Sequence, residues 1–313
     1  MKNTVILCMG GINMDLTMYS DHLPAVGESV KTDNFFTFPG GKAANQAAAA
    51  ALLGGSVRFF SRMGTDDFSR QLIRLEQDRG IDMDHVIPME GKTSGVALIL
   101  VSRSTGQNMI VYDPGPTLLT TPEDILRNEQ IFDGCGILEI TTELPSETVY
   151  TAIRLAKQKG LSVMIDPSPM PAGGFPEEIC RMIDYTKPNE NEAEALTGIP
   201  VTDLESASRA LHELLRMGFR YPIISLASQG ALAWTGTEEY YVRPVRVDAV
   251  DPTAAGDNFL GGLSSALSRG LSFKDALEFA NAAAAISVTR KGAQTSVPAY
   301  DEVMALLKNE GRL

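Results

Sequence analysis

Short apolar runs alternate with amphipathic stretches along most of the chain. Four runs are continuously apolar, as central parallel strands buried on both faces are, and they cover residues 5–9, 137–140, 162–165 and 223–226. Seven stretches have helical spacing: residues 42–53, 69–79, 145–159, 191–197, 204–217, 256–268 and 273–288. This alternation predicts an α/β fold with a doubly wound parallel sheet. The sequence shows no repeat and no long linker, so we expect one domain over residues 1–313.

Two segments depart from the alternation. Residues 28–38 and 93–112 are strand-like and contain no helical stretch, and a turn-rich piece at 102–107 divides the second. We expect them to form a small antiparallel sheet apart from the core, built from about residues 16–39 and 91–114 and acting as a lid. Two surface hairpins at the edge of the central sheet are the alternative.

Composition narrows the class of protein. Hydrophobic residues make up 44% of the 313 residues and charged residues 21%, which is typical of a globular chain. The net charge is −12 and no basic block offsets it, so we expect no binding to nucleic acid or to an anionic membrane. The spacing of Cys8, Cys135 and Cys180 fits no zinc site or disulfide framework. With no signal-peptide pattern and no run of about 20 apolar residues, the expected location is the cytoplasm.

The most specific local feature is Asp251-Pro-Thr-Ala-Ala-Gly-Asp257, directly before a predicted helix. Small residues at a helix N-terminus let backbone N–H groups converge on an anion, and the helix dipole adds to the attraction. A carboxylate at Asp257 would repel a phosphate that is merely bound. It is useful where a hydroxyl must lose its proton beside a phosphoryl group. An aspartate that only caps a helix is the alternative.

A second glycine turn, Phe38-Pro-Gly-Gly-Lys-Ala-Ala-Asn-Gln-Ala47, also leads into a predicted helix. Gly40 and Gly41 would let the backbone approach a ligand closely. Lys42 and Asn45 lie on one face of the helix, where their donors suit a polyhydroxylated ligand. A plain strand–helix turn is the alternative.

Polar residues also follow two of the buried runs. Asn13 and Asp15 come after the first run, and Glu143 comes after residues 136–140. Ligands of open α/β sheets lie outside the carboxyl ends of the strands, so these side chains are candidates to hold sugar hydroxyls.

The stretch Lys187-Pro-Asn-Glu-Asn-Glu192 places two polar side chains three residues apart at a helix start. Glu192 would hold a hydrated Mg²⁺, which prefers water and a few carboxylate or phosphate oxygens, while Asn189 would face phosphate. A capping box formed by the same pair is the alternative.

Other motifs are incomplete. Gly91-Lys92-Thr93 resembles the tail of a P-loop, but that motif needs glycine at the position of Val86. No G-x-G-x-x-G follows the first run, which argues against a dinucleotide-dependent dehydrogenase. The three histidines, His22, His85 and His212, form no ligand or nucleophile set.

Taken together, these segments resemble the ribokinase/PfkB family of sugar kinases over nearly the whole chain, and within it the ribokinases most closely. Residues 40–47 match the first signature of the family and residues 251–257 the second, with 188–192 between them in the expected order. The run from Ala280 to Pro298 is similar as well.

The resemblance implies a central α/β domain with a small β-sheet lid that is often the dimer contact, so we expect a homodimer through the lid. It implies that Asp257 is the catalytic base and that Ala254, Ala255 and Gly256 form the anion hole. The residues implied to hold the sugar are Asn13, Asp15, Gly41, Lys42, Asn45, Glu143 and Asp257.

The resemblance also implies a nucleotide site and two cation sites. The residues implied for the nucleotide are Asn189, Ser225, Leu226, Ala227, Ser228, Gly230 and Asn281, with Glu192 holding Mg²⁺ through water. The loop for a monovalent cation, usually K⁺, would comprise Asp251, Thr253, Ser287, Arg290, Gly292 and Ser296, several of them through carbonyls.

The activity implied is ATP-dependent phosphorylation of the primary hydroxyl of a pentose, D-ribose at O5 above all. Departures from the family pattern leave the sugar open: Ala227 replaces a usual glycine, Asn281 a frequent histidine, and residues 112–117 and 141–142 differ beside the expected sugar pocket. The alternatives are another sugar or nucleoside, such as pseudouridine, deoxyribose or a ketose, and a sensor without catalysis.

Overall fold

The computed structural model describes residues 4–312. Within that range the strands are β1 Val5–Met9, β2 Asn13–Ser20, β3 Phe35–Gly40, β4 Ser56–Phe60, β5 Arg62–Met63, β6 Ile81–Asp82, β7 Ile87–Pro88, β8 Gly95–Ser102, β9 Asn108–Asp113, β10 Cys135–Thr141, β11 Ser162–Asp166, β12 Tyr185–Thr186, β13 Tyr221–Ser225, β14 Ala231–Trp234 and β15 Glu239–Val242. The α-helices are α1 Lys42–Leu52, α2 Asp67–Asp78, α3 Pro122–Arg127, α4 Ser146–Gln158, α5 Glu177–Cys180, α6 Glu190–Thr197, α7 Leu204–Met217, α8 Ala255–Ser268, α9 Phe273–Ser287 and α10 Tyr300–Asn309.

Nine strands form the central sheet, in the order β15-β14-β13-β12-β11-β10-β1-β4-β6. Pairing is parallel from β6 to β13 and antiparallel at β14 and β15. The four predicted strands are β1, β10, β11 and β13, all interior to this sheet, and the predicted fold class is confirmed. The other strands of this sheet, β4, β6, β12, β14 and β15, were not predicted.

Helices cover both faces of the central sheet. Along β1, Ile6 and Cys8 pack in a core with α1, α8 and α9, whereas Leu7 and Met9 pack in a second core with α4 and α7. Each of the seven predicted helices is present, with its ends within two residues of the prediction. In the part of the chain that the structure covers, no helix combines the length and apolarity that a membrane crossing needs.

A separate sheet in the order β3-β2-β8-β9 contains the two segments that break the alternation. It is not wholly antiparallel as predicted, because β2 pairs with β8 in parallel. Residues 93–112 supply β8 and β9, but residues 28–34 contain no strand, and β2 at Asn13–Ser20 was not predicted. The strand pattern is weak here because much of this sheet is open to solvent; all of β9 is exposed.

Two helices pack unusually closely and thereby align their N-terminal ends. A side chain on Gly261 of α8 would begin 2.4 Å from the carbonyl oxygen of Gln46 and 2.6 Å from Cβ of Ala49 in α1. Six of the seven alanines of α1 are buried. The small residues of the two helices therefore bring the first turns of α1 and α8 side by side, which is where the candidate site lies.

Candidate active site

Asp257 lies in the first turn of α8 and is only 6% exposed. Two amides from α1 hold its carboxylate: Asn45 Nδ2 donates to Oδ2 at 3.1 Å, and Gln46 Nε2 donates to Oδ1 at 3.0 Å. The structure therefore brings the two glycine signatures of the sequence together at one carboxylate.

The surroundings of Asp257 suit a base that works near neutral pH. Burial raises its pKa to about 6, while the Lys42 ammonium acts in the opposite direction. The neighbouring Asp166 carboxylate raises the pKa and the two amide donors lower it. Such a group is ionised at pH 7 and accepts a proton more readily than an ordinary aspartate.

Asp166, at the end of β11, connects the base to Lys42. It is 3% exposed, accepts a hydrogen bond from Gln46 Nε2 at 2.8 Å, and lies 3.7 Å from the Lys42 ammonium. Burial alone would lower the pKa of Lys42, but Asp166, Asp257 and further carboxylates outweigh it and raise that pKa above its ordinary value. The lysine therefore remains charged, and Gln46 bridges two buried carboxylates.

Glu143 supplies the cap that α1 lacks at its own N-cap residue, Gly41. Its Oε1 accepts from the Lys42 N–H at 3.1 Å, and its Oε2 accepts from the N–H groups of Gly11 at 2.8 Å and Ala43 at 3.3 Å. Gly41 has φ +95°, and a side chain there would begin 2.5 Å from the Gly11 carbonyl oxygen. The carboxylate named as a sugar ligand by resemblance thus also fixes the glycine turn.

A cavity of about 370 Å³ opens beside this turn, within the range usual for small-ligand sites. Lys42 and Glu143 form one wall, Tyr112 of β9 closes it from the small sheet, and other loops complete it. The lining residues are Lys42, Tyr112, Pro114, Leu118, Thr142, Glu143, Ser168 and Pro169.

Asn13 and Asp15 belong to β2, and this corrects the expectation that they directly follow a strand of the central sheet. Only Gly10, Gly11 and Ile12 separate β1 from β2, so the chain enters the small sheet almost at once. Asn13 Nδ2 donates to Asp15 Oδ1 at 2.6 Å, and burial raises the pKa of Asp15 to about 6 despite that hydrogen bond. The backbone at Gly40 leaves room for this carboxylate, since a side chain there would begin 2.5 Å from its oxygens.

The N-terminus of α8 has no side-chain cap. Ala254 precedes the helix with φ +57°, and the Ala255 N–H already donates to the Pro252 carbonyl at 3.2 Å, so part of the predicted anion hole is engaged. Gly256 is exposed. The ammonium nitrogen of Lys187 lies 3.3 Å from the point where a side chain on Gly256 would begin.

Lys187 is 4% exposed, and no acidic side chain within residues 4–312 forms an ion pair with it. A largely buried lysine whose ammonium forms no ion pair with any residue that the structure describes is available to an anionic ligand at this place. This residue was not assigned a role from the sequence.

The two stretches named for the nucleotide are adjacent. Asn189 and Glu192 form a capping box at α6, with both hydrogen bonds at 2.9 Å, which is the alternative that the sequence left open. The Ser225 N–H donates to the Pro188 carbonyl at 3.1 Å and joins the 225–230 loop to this helix start.

The 225–230 loop and Asn281 meet at one backbone segment. Ala227 has φ +45°, the left-handed region that favours glycine, and Leu226 is buried while Ser228 is exposed. Gly230 packs so closely on the end of β15 that a side chain would begin 2.1 Å from the Val242 carbonyl oxygen. Asn281 Nδ2 donates to the neighbouring Arg243 carbonyl at 2.9 Å.

The residues named for a monovalent cation lie on two adjoining loops. Asp251 accepts from the N–H groups of Thr253 at 3.0 Å and Gly292 at 2.9 Å. The hydroxyls of Ser287 and Ser296 donate to carbonyls within their own turns, and Arg290 pairs with Glu302 of α10. Across residues 4–312 no group of three or more His, Cys, Asp and Glu side chains is placed to hold a metal ion.

Sequence reasoning missed three buried residues at the site: Gln46, Asp166 and Lys187. Each of them lies directly beside a motif or a strand that the sequence analysis identified. Gln46 follows Asn45, Asp166 directly follows the predicted strand at 162–165, and Lys187 precedes Pro188 and Asn189. What the sequence could not give is that all three face Asp257 or the helix that carries it.

Comparison with known proteins shows the family of the chain. Residues 3–300 match the family described as pfkB family carbohydrate kinase. The chain is 34% identical over 309 residues to a ribokinase of Haemophilus influenzae, covering 99% of this chain and 100% of that protein. It is 33% identical over 297 residues to a deoxyribokinase of Salmonella typhi, covering 95% and 96% of the two chains.

A solved structure of Arabidopsis thaliana ribokinase in complex with ribose and ATP superposes with a TM-score of 0.86 at 29% identity, covering 98% of this chain and 99% of that one. The extent of these matches shows the family. The chain therefore belongs to the pfkB family of carbohydrate kinases, enzymes that transfer a phosphoryl group from ATP to a sugar.

Proposed function

We propose that this chain transfers the γ-phosphoryl group of ATP to the primary hydroxyl of a pentose, converting D-ribose to D-ribose 5-phosphate. The observation that carries the proposal is the buried Asp257 carboxylate, held by two amides at the uncapped N-terminus of α8. The ribokinase relatives support the choice of sugar.

In the proposed reaction the sugar hydroxyl donates a hydrogen bond to Asp257 and loses its proton to that carboxylate as its oxygen forms a bond to the γ-phosphorus. The bond from the γ-phosphorus to the β–γ bridging oxygen breaks, and ADP leaves with that electron pair. The N-terminus of α8 and the Lys187 ammonium stabilise the charge on the transferring oxygens. Asp257 is oriented throughout by Asn45 and Gln46.

The sugar would occupy the cavity between the glycine turn and the small sheet. Asp15 has one side-chain donor, Asn13, so its remaining oxygen lone pairs suit sugar hydroxyls. Lys42, Glu143 and Tyr112 line the same cavity. Closure of the small sheet as a lid would exclude water from the phosphoryl group.

The nucleotide would lie along the 225–230 loop, Asn189 and Asn281, where ATP is the expected co-substrate. Glu192 fits a hydrated Mg²⁺. Its Oε2 accepts a hydrogen bond from the Asn189 N–H, and its Oε1 remains free to accept one from a water ligand of the ion. Mg²⁺ supplies charge neutralisation for the phosphates when bound. Asp251, Thr253, Ser287, Arg290, Gly292 and Ser296 fit K⁺ chemically, since their loops offer oxygen donors and no soft ligand.

The small sheet also supports the proposed homodimer. Apolar side chains are exposed on it, with Val111 at 69%, Ile110 at 56% and Phe35 at 54%. A second copy of the sheet would cover such side chains from water. The three cysteines are free, which is consistent with the proposed cytoplasmic location.

The test is ADP release by the purified chain against pentoses, hexoses, ketoses and nucleosides, with Mg²⁺ and with or without K⁺. The proposal predicts the highest kcat/KM with D-ribose and a product phosphorylated at O5, identified by NMR. If no compound of the panel causes ADP release, the result would favour the sensor without catalysis. A strong preference for pseudouridine or a ketose would contradict the assignment of D-ribose.

A second candidate substrate is 2-deoxyribose, which the similarity to a deoxyribokinase favours. A site that binds the 2-hydroxyl rejects an analogue without it, because a buried polar group is then left unpaired. The ratio of kcat/KM for ribose over 2-deoxyribose therefore decides between them. We propose that Asp15 accepts from the 2-hydroxyl of ribose. In Asp15→Asn that ratio should then fall sharply if ribose is the substrate and change little if deoxyribose is.

A further inference from the structure

Arg312 follows α10 and is one of the most enclosed charged side chains of the chain, at 7% exposure. Its guanidinium donates to the carbonyl oxygens of Arg243 at 2.7 Å and Pro244 at 3.1 Å. It also donates to Glu278 Oε2 of α9 at 3.0 Å. The planar fork of arginine suits several acceptors at once, so one side chain fixes a loop and a helix.

The loop that Arg312 holds lies against both halves of the proposed nucleotide site. The Arg243 carbonyl that accepts from Arg312 also accepts from Asn281 Nδ2 at 2.9 Å. On the other side, a side chain on Gly230 would begin 3.0 Å from the Pro244 nitrogen. Residues 243–244 therefore separate Asn281 from the 225–230 loop and set the distance between them.

Glu278 extends the same set of contacts. Its Oε1 accepts from the Tyr240 hydroxyl of β15 at 2.7 Å while Oε2 accepts from Arg312. Glu278 precedes Asn281 by three residues, so the two side chains share a face of α9. Removing the guanidinium would leave this carboxylate, 10% exposed, without its counter-charge and free the 243–244 carbonyls.

We propose that Arg312 is a positioning residue for the nucleotide: it holds residues 243–244 against Asn281 and Gly230 and so maintains the spacing of the nucleotide site. It lies outside the sugar cavity and does not touch the reacting atoms. The inference rests on the proposed nucleotide site but not on the identity of the sugar. A residue with only a structural role would affect unfolding and leave the affinity of the folded protein for nucleotide unchanged.

The test compares Arg312→Met, which keeps the aliphatic stem, with Arg312→Lys, which keeps the charge but loses the fork. Lys308→Met on the exposed side of α10 is the matched control. Binding of Mg·ADP is measured by calorimetry on the folded protein without sugar, together with Tm and the KM values for ATP and sugar. We expect Kd for ADP and KM for ATP to rise about tenfold in Arg312→Met and less in Arg312→Lys. The KM for sugar should be unchanged, and Lys308→Met should match the parent.

An Arg312→Met protein with a lower Tm but a Kd for ADP within twofold of the parent would overturn the proposal. If Arg312→Met does not fold, Glu278→Gln weakens the same ion pair from the other partner, and an unchanged Kd for ADP there would overturn it equally. Because ADP binding is measured without sugar, failure of the protein to phosphorylate ribose would count against the proposed substrate and not against Arg312.

Discussion

Two helix N-termini meet at the site, and they are completed in different ways. At α1, the Glu143 carboxylate from a distant loop accepts the first N–H groups, so the cap is supplied within the chain. At α8 no side chain caps the helix, Gly256 is exposed, and the buried Lys187 ammonium beside it has no ion-pair partner among the described residues. The first N–H groups of α1 are taken by a side-chain carboxylate, whereas at α8 no side chain of residues 4–312 accepts from the first N–H groups, although Asp257 lies in the same turn.

The two helix starts therefore differ in role: the start of α1 supports the structure of the site, and the start of α8 takes part in the proposed reaction. The capped start of α1 fixes Lys42, Asn45 and Gln46, which in turn hold Asp257 and Asp166. The uncapped start of α8 faces the position proposed for the phosphoryl group. Substitutions at α1's cap should therefore reduce stability together with activity. Substitutions at α8 should reduce turnover while leaving stability unchanged or improved.

The largest effect is expected for Asp257→Asn. Loss of the base should lower kcat by about 10²–10⁴-fold, while sugar affinity, measured by calorimetry, stays close to that of the parent. Asp248→Asn, the same change at an exposed aspartate, is the control and should be neutral. An Asp257→Asn enzyme with near-normal kcat would remove the basis of the proposed reaction.

Lys187→Met should come next. With the ammonium gone, kcat/KM for ATP is expected to fall about 10²-fold because a charge on the transferring phosphoryl group is left unbalanced. Tm should stay the same or rise, since the substitution keeps the largely buried aliphatic stem and removes a charge that forms no ion pair among residues 4–312. Lys274→Met, at a surface ion pair, is the control. A fall in Tm with unchanged kinetics would show that Lys187 is structural.

Glu143→Gln should lower the stability of the protein, whereas Lys187→Met should leave it unchanged or raise it. An amide accepts the backbone N–H groups through one oxygen only, and hydrogen bonds to a charged acceptor contribute about 1.5–3 kcal/mol. We expect a loss of about 2 kcal/mol in the free energy of unfolding, measured by urea denaturation, with a fall in activity. Glu147→Gln at an exposed position of α4 is the control. Unchanged stability would mean that α1 does not depend on this cap.

The sequence predicted the parts of this molecule that depend on local pattern. Buried strands such as β1 and β10 and helices such as α7 follow from continuous or periodic apolar positions, and their ends are close to the prediction. The strand β2 was missed because its buried positions are neither continuous nor strictly alternating, and Asn13 and Asp15 look like loop residues.

At the site, the order of the glycine motifs predicted Asp257, Lys42 and Asn45, and the structure places Asn45 on Asp257. It could not predict that Glu143 caps α1, because that contact joins residues about a hundred positions apart. For the same reason the bridge from Gln46 to Asp166 and the position of Lys187 appear only once the strands are assembled.

The pH dependence of turnover tests the environment of Asp257. Burial raises its pKa to about 6, so kcat should fall about tenfold per pH unit below about pH 6 rather than below pH 4. Gln46 donates to the ionised form of Asp257 and therefore lowers its pKa. In Gln46→Ala the acid limb of the profile, where kcat falls with pH, should therefore move to higher pH. A limb that stays near pH 4 in both proteins would show that Asp257 remains well solvated during turnover.

Ala227→Gly is expected to have the smallest effect and tests the nucleotide loop apart from either helix start. Ala227 has φ +45°, where a Cβ atom is unfavourable, and glycine removes that strain at the expense of a more flexible unfolded chain. The net gain should be up to about 1 kcal/mol in unfolding free energy, with a KM for ATP no higher than in the parent. Ala25→Gly, at an exposed residue outside the positive-φ region, should lose a little stability instead. If both substitutions destabilise equally, the left-handed backbone at Ala227 carries no strain, and its alanine is as suitable there as glycine.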